Sequence, residues 1–522
     1  MTIRKTIAAS LLGCLACGAA WGQEVTLQSA DGAVDVSGAL VAFDGDTYVV
    51  RTGLGELRVD ADGVTCTGEA CPDPGEAGPV ADVTFAGSDT VGLGMMPLLL
   101  EGYAGAQTAE IVFDGPADAL TAELIGDDGF GDPLGTLFVS STTSGRGFDA
   151  LMAGGTDIAM ASRRIRPAEA RALRDAGAGN MVHPDQEHVI AADSLVVIVH
   201  PRNPIERITM DQLADVFSGL ITNWSDLGGE DAPITVFGRP EGSGTRAVFE
   251  TIVFDGAEVP LPPGAVVQDD NVAMAAAVND DPTAIGFVSY AFQRGARAVP
   301  LVTSCELVAV PTAFAARTEE YPLQRRLYMY NRADATSPAA QAFLDYTQSE
   351  AADGVIAKSG FIDLGVDRQP QPVESARGQM LLTTDADPYE GGIMREMLGL
   401  MVDYDRLSTT FRFRTGSARL DERGILDKRR LARFLQGVPA GSEVLFVGFT
   451  DEVGAFDSNR ALSRERAEQV QGELEALGVP GLEDLTLSAE GFGEIAPSAC
   501  NTDEVGRRIN RRVEVWIRDA EG

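Results

Sequence analysis

The sequence predicts a multidomain protein of the α/β class, on three observations. Its 522 residues exceed what a single hydrophobic core organises. Between about residues 81 and 364, short apolar runs such as LVVIV (195–199) and PITVF (233–237) alternate with helix-like segments such as SGRGFDALMAGG and TMDQLADVFSG. That alternation predicts mostly parallel sheets, and its length suggests two lobes. Two aperiodic stretches, CPDPGEAGP (71–79) and GVDRQPQPVESARGQMLLTTD (365–385), divide the chain into a β-rich start, an α/β middle and an α/β end.

The elements follow in order. Residues 1–22 carry Arg4 and Lys5, an apolar run from Ile7 to Ala20 and the triplet Ala20-Trp21-Gly22, the pattern of a secretory signal peptide. The run is too short to span a bilayer, and no later stretch is long and apolar enough to do so. Leu11-Leu12-Gly13-Cys14 faintly resembles a lipoprotein site but leaves almost no apolar region ahead of it, so free release into an oxidising compartment is expected. Of the six cysteines, Cys14 and Cys17 leave with that segment. Cys66 and Cys71 are spaced for a disulfide that closes a short loop, whereas a Cys305–Cys500 pair is suggested by subtraction only and the sequence leaves it open.

Residues 23–75 alternate apolar and polar positions between Asp-Gly and Thr-Gly-Leu-Gly turns and read as a small β module. Residues 76–364 are the two-lobed α/β region, its second lobe near 190–285. Residues 365–406 read as an extended, flexible connection with a short helix around Ile393 to Val402. Residues 407–522 are a last α/β unit. In it EVLFVGF runs into a turn at Thr450-Asp451 and then a helix whose stripe Ala467, Val470, Leu474 and Leu477 faces a core, ending at Gly478. NRRVEVWI (510–517) is a terminal strand with Val513, Val515 and Ile517 on one face.

Forty-one basic against seventy-eight acidic side chains give a formal charge of −37, or −39 without Arg4 and Lys5. Such a charge repels nucleic acid, and an anion ligand would need a local site that opposes it. The three histidines (His183, His188, His200) do not cluster with cysteines at ligand spacing, so neither a metal nor another cofactor is expected.

FGRPEGSGTRAVFE (237–250) reads as strand, loop and helix start. Alone, Ser243-Gly244-Thr245 is an ordinary helix cap. Two further stretches repeat the arrangement: FAGSDTVGLG (85–94) and VSSTTSGRGFDAL (139–151) each end a strand and enter a helix through small hydroxyl residues and glycines. Converging helix starts offer unpaired N–H groups to an oxyanion, and arginines such as Arg239 and Arg163 add bidentate donors. Each arginine taken singly reads more simply as a surface ion pair.

With these motifs in view, GRPEGSGTRAVFE resembles the phosphate loop of the PstS family, the periplasmic phosphate-binding proteins that feed ABC importers. FAGSDTVG resembles that family's first loop, and TSGRGFDALMAGGTDIAMASRRI its second loop and the Ser-Arg segment after it. The resemblance spans residues 81 to about 364, in the family's order. It implies a two-lobed type II periplasmic-binding-protein fold that closes over inorganic phosphate or a related oxyanion, with an ABC permease as a further partner. Carried over by position, the ligand residues are Thr90, Ser144, Gly145, Ser162, Arg163, Arg239, Ser243, Gly244 and Thr245. Some family members have, after the serine of the second segment, an aspartate that accepts the proton of monohydrogen phosphate. Here Arg163 follows Ser162, so selectivity for phosphate over sulfate does not follow from these residues.

FTDEVGAFDSNRALSRERAEQV followed by NRRVEV resembles the OmpA-like peptidoglycan-binding domain, over about residues 407–518. The resemblance implies that Asp451 and Arg466 hold the diaminopimelate of a peptidoglycan stem peptide, with Asn459, Leu462 and Arg512 around them. Phe449 stands where that family usually has histidine. Together the two resemblances imply a periplasmic oxyanion-capturing protein tethered to peptidoglycan, with no catalytic residues. Two alternatives stay open: an envelope structural or sensing protein without transport function, and an enzyme of phosphate metabolism, for which no metal cluster or nucleophile is evident.

Overall fold

The computed structural model describes residues 24–520, except 30–33, 44–46, 53–54, 61–63, 69–70, 72–80, 127–130, 258 and 414–421. The expected signal peptide and most of the 71–79 stretch lie outside the described residues. Two compact units are present, Met1–Ala81 and Asp82–Gly522. In the first, five antiparallel strands are ordered Gly55–Asp60, Thr47–Thr52, Asp35–Phe43, Glu24–Ser29, Val64–Thr67. Val25, Leu27, Tyr48 and Val50, two positions apart on their strands, form its buried cluster, as the period of a pleated strand requires. Cys66 and Cys71 are disulfide-bonded.

In the second unit a single mixed sheet runs through both lobes. At its middle the long strand Glu187–Val199 pairs antiparallel with Gln324–Asn331. Beyond the first lie Ala284–Ser289, Thr235–Gly238 and Val266–Val267; beyond the second lie Ile158–Ala161, Val83–Ser88, Pro133–Thr142, Ala119–Gly126 and Ala109–Asp114. In this sheet, parallel pairing is confined to the neighbours of 83–88 and of 235–238. The mostly parallel sheet expected from the sequence is therefore not found. The two strands that carry the chain between lobes run in opposite directions, and residues 109–142 return by hairpins. Along LVVIV, Leu195, Val197 and Val199 enter one core while Val196 and Ile198 enter the other. Burial on both faces explains an apolar run without alternation.

The C-terminal sheet is ordered Arg368–Gln369, Asp405–Arg412, Arg512–Arg518, Glu443–Gly448, Thr486–Gly491. Helix Phe456–Glu475 buries Ala467, Val470 and Leu474 against one face. Leu477, expected in that stripe, is 37% exposed, because the helix has already ended before Gly478 turns into the left-handed region (φ 59°).

The supposed flexible connection is a structural layer. Helices Ala376–Thr383 and Pro388–Asp403 cover the other face of this sheet, where Leu381, Ile393, Met397 and Met401 pack with Leu445, Val447, Phe449 and Trp516. The domain is also fastened to the lobes. Cys305 and Cys500 form a disulfide, Glu320 receives two hydrogen bonds from Arg406 (3.1 and 2.7 Å), and Arg433 meets Glu350 at 3.4 Å. Behind Glu320, the buried Glu514 is held by Arg377 (2.8 Å), Arg406 (2.9 Å), Arg512 (2.7 Å) and the Trp516 indole (2.9 Å).

Candidate functional site

Three glycine- and hydroxyl-bearing stretches meet between the lobes, together with residues that no motif announced. Gly244–Val253 is a helix capped by Ser243, whose hydroxyl accepts from the Arg246 N–H (3.3 Å). Ser144–Ala153 is capped by Thr143. The first stretch makes only one helical turn, Asp89–Gly92, before a second helix begins at Met96. Thr90 and Thr245 hydroxyls lie 3.3 Å apart, as do those of Ser144 and Ser162. Gly244 is tightly packed: a Cβ there would lie 2.3 Å from Ser144 Oγ and 2.4 Å from Ser162 Oγ, so any larger residue would displace those hydroxyls. Ser243 thus caps its helix while Gly244 and Thr245 line the convergence.

Arg239 is fully buried. Its Nε donates to the Gln268 carbonyl (3.1 Å), and its Nη2 to Asp89 (2.9 Å) and the Asp269 carbonyl (2.9 Å); its Nη1 has no hydrogen-bond partner among the described residues. A second arginine stands opposite. Arg325 Nε donates to Asp193 (2.7 Å) and Nη1 to Thr245 Oγ1 (2.9 Å), and its Nη2 is likewise buried without a partner. Asn271 closes the ring by donating to Thr90 Oγ1 (2.9 Å) and Asp89 (3.1 Å). Burial pushes the Asp89 carboxyl above its ordinary value, outweighing the Arg239 charge beside it; burial likewise lowers Arg325 despite Asp193. Two buried guanidinium nitrogens that no acceptor among the described residues satisfies are donors of the kind a tetrahedral oxyanion takes up.

Three residues expected at binding sites are committed elsewhere. Arg163 points its terminal nitrogens at Glu169 (2.8 and 2.6 Å) and lies over the Phe148 ring, because the chain turns there into the helix Pro167–Asp175 that carries Glu169. The Gly145 N–H donates to the Gly242 carbonyl (3.3 Å), tying the second loop to the third. In the C-terminal domain Arg512 is fully buried on Glu514 and 4.0 Å from the Phe449 ring centroid, and burial lowers it to about 10. Asp89, Asn271 and Arg325 were missed. Asp89 lies inside the FAGSDTVGLG stretch but is neither a glycine nor a hydroxyl residue, Asn271 opens a helix without glycine at its start, and Arg325 lies on a strand far from any loop motif.

In the C-terminal domain Asp451 sits in the turn after strand Glu443–Gly448. Its carboxylate accepts from the Val453 N–H (3.1 Å) and pairs with Arg511 (2.7 Å), while Asn459 Nδ2 donates to its carbonyl (3.3 Å). Arg466 is buried beside the Phe413 ring (5.3 Å); burial first, and then Arg511, bring it down to about 10 against the pull of Asp451. Leu462 is half-buried on the same helix. The site therefore brings Asp451 together with two guanidiniums, Arg466 and Arg511, the latter also paired with Glu504 (2.6 Å).

A family description, PBP superfamily domain, matches residues 73–351, and the OmpA family matches residues 412–511. The first covers more than half of the chain, which belongs to the PBP superfamily and carries an OmpA family domain at its C-terminal side. The phosphate-binding protein PstS of Bacillus subtilis is 33% identical over 178 residues, 34% of this chain and 57% of that protein. Protein SphX of Synechocystis is 26% identical over 292 residues, 52% and 85% of the two chains. Outer membrane porin F of Pseudomonas aeruginosa is 32% identical over 138 residues, 26% and 35%. The chain thus spans a little over half the length of the first of these relatives. Among solved structures, an ABC-type phosphate transport receptor from Vibrio cholerae is 26% identical, with 54% of this chain and 99% of that chain covered at a TM-score of 0.41.

Proposed function

We propose that this chain is a periplasmic binding protein that captures inorganic phosphate, or a similar tetrahedral oxyanion, for ABC import, and that it is held non-covalently at peptidoglycan by its C-terminal domain. The observation that carries the reading is the pair of buried donors, Arg239 Nη1 and Arg325 Nη2, that no protein acceptor satisfies. Around them Thr90, Ser144, Ser162, Gly244 and Thr245 supply hydroxyl and backbone donors that need no metal. Phosphate is favoured because PstS of Bacillus subtilis, one of the relatives, is named for it. Capture without chemistry is the expected activity, so the protein is not an enzyme.

Asp89 gives the pocket the carboxylate that Arg163 does not. A carboxylate there accepts the O–H of a protonated oxyanion and repels a fully deprotonated one, which separates phosphate from sulfate. Contacts across the lobes, Arg239 with Asp89 and Asn271 with Thr90, belong to a closed form, and opening would bend the strands 187–199 and 324–331. Isothermal titration with phosphate, sulfate and arsenate is the test. Phosphate should bind most tightly and Asp89→Asn should narrow its lead over sulfate; no heat with any of the three sinks the reading. For the C-terminal domain, Asp451 faces an ammonium and Arg466 a carboxylate of diaminopimelate, and Asp451→Ala and Arg466→Ala should each abolish retention on purified sacculi.

A second reading, an envelope structural or sensing protein, draws on the disulfide and ion pairs that fasten the two domains together. It predicts sacculus binding without oxyanion affinity.

A further inference from the structure

Beside the buried pocket lies a cavity of about 300 Å³ whose lining is dominated by arginine. Arg163, Arg164 and Arg166 come from the loop after strand Ile158–Ala161, Arg325 and Arg326 from strand Gln324–Asn331, and Arg508 from helix Glu504–Asn510 of the C-terminal domain. The opposite wall is the apolar side of helix Gly244–Val253, including Val248 and Ile252. In a chain of formal charge −37 this is a strong local reversal of sign. A low-dielectric wall facing charges of one sign focuses their field into the cleft.

Four of the six arginines have carboxylate partners: Arg163 with Glu169, Arg164 with Glu187, Arg325 with Asp193, and Arg326 with Glu319 and Asp427. Arg166 and Arg508, both exposed, have no ion-pair partner among the described residues, so the cleft keeps a positive surplus. Arg163 is more than nine-tenths buried, and its Nε has no hydrogen-bond partner among the described residues. Arg325 also reaches Thr245 in the pocket next door, so the two spaces share one guanidinium.

We propose that this cleft is a second anion site, for a condensed phosphate carrying two or more phosphoryl groups, assembled jointly by the lobes and the C-terminal domain. The cavity exceeds the needs of a single tetrahedral anion, and planar guanidiniums from three chain segments suit several oxyanion groups at once. The site is separate from the inner pocket and does not rest on the capture of inorganic phosphate there.

The test uses the full chain saturated with inorganic phosphate and titrated with tripolyphosphate. A further binding event is expected, weakening as salt rises because its unpaired cations are exposed. Arg166→Ala with Arg508→Ala should weaken tripolyphosphate by about tenfold or more while inorganic phosphate binding stays unchanged. Both side chains are exposed, so folding is not at risk. Tripolyphosphate that merely displaces phosphate, or binds the double variant undiminished, overturns the proposal. Tripolyphosphate binding to a chain that takes up no inorganic phosphate would support the outer site and remove the proposed inner one.

Discussion

Two buried arginine clusters in this molecule have opposite characters. In the domain interface, Arg377, Arg406 and Arg512 are directed at Glu514 and Glu320, and the carboxylates gain more from the three guanidiniums than they lose on burial. Burial alone would raise Glu320, yet Arg406 and Arg377 bring it down to about 2; Glu514 is likewise held well below its ordinary value. In the lobe pocket, Arg239 and Arg325 face only Asp89 and Asp193, burial raises Asp89, and one nitrogen on each arginine stays without a partner. A cluster whose charges satisfy one another is a fastening, and one that leaves donors over is a binding site.

The largest effect should come from breaking the fastening. Glu514→Ala leaves the buried guanidiniums of Arg377, Arg406 and Arg512 to share Glu320, 3.7, 2.7 and 3.9 Å away, and should lower stability by about 3–5 kcal/mol, measured by urea unfolding. Acid tests the same cluster: because the folded-state pKa of Glu320 lies below its ordinary 4.5, its contribution is complete above about pH 4.5 and is lost as pH falls toward about 2. Unfolding followed between pH 6 and 2 should show that loss.

Next comes the covalent tie. Cys305 and Cys500 are 195 residues apart, against 5 for Cys66 and Cys71, so replacing the former pair by serine should cost more, about 2–4 kcal/mol. Thermal unfolding of the two double variants compares them directly. Arg239→Ala acts on the other cluster. It should weaken phosphate about 10–100-fold in a titration, the worth of a charge-assisted hydrogen bond. The smallest effect is expected from Thr90→Val, which deletes the acceptor of Asn271 and should weaken phosphate by about 1 kcal/mol in the same assay.

The contrast also explains what was legible. Thr90, Ser144, Ser243, Gly244 and Thr245 carry their meaning locally, since helix starts are built from small hydroxyl residues and glycine. Arg163 and Arg512 were misread because position in a motif does not fix where a long side chain is drawn; Glu169 and Glu514 decided that. A helix around Ile393 to Val402 was legible, but its packing on the sheet and the helix Ala376–Thr383 were not, because Ile393, Met397 and Met401 form a sparse stripe four residues apart.

By itself the sequence determined the α/β character, the strand-to-helix turns of the phosphate-loop motif, and the helix that bears Arg466, because propensity, capping and apolar periodicity act over a few neighbouring residues. Only the tertiary structure decided that 187–199 and 324–331 run antiparallel, that Arg325 joins Arg239, and that Cys305 reaches Cys500. Those outcomes depend on contacts between residues far apart in the sequence, and on which buried charge finds a partner and which is left to hold a ligand.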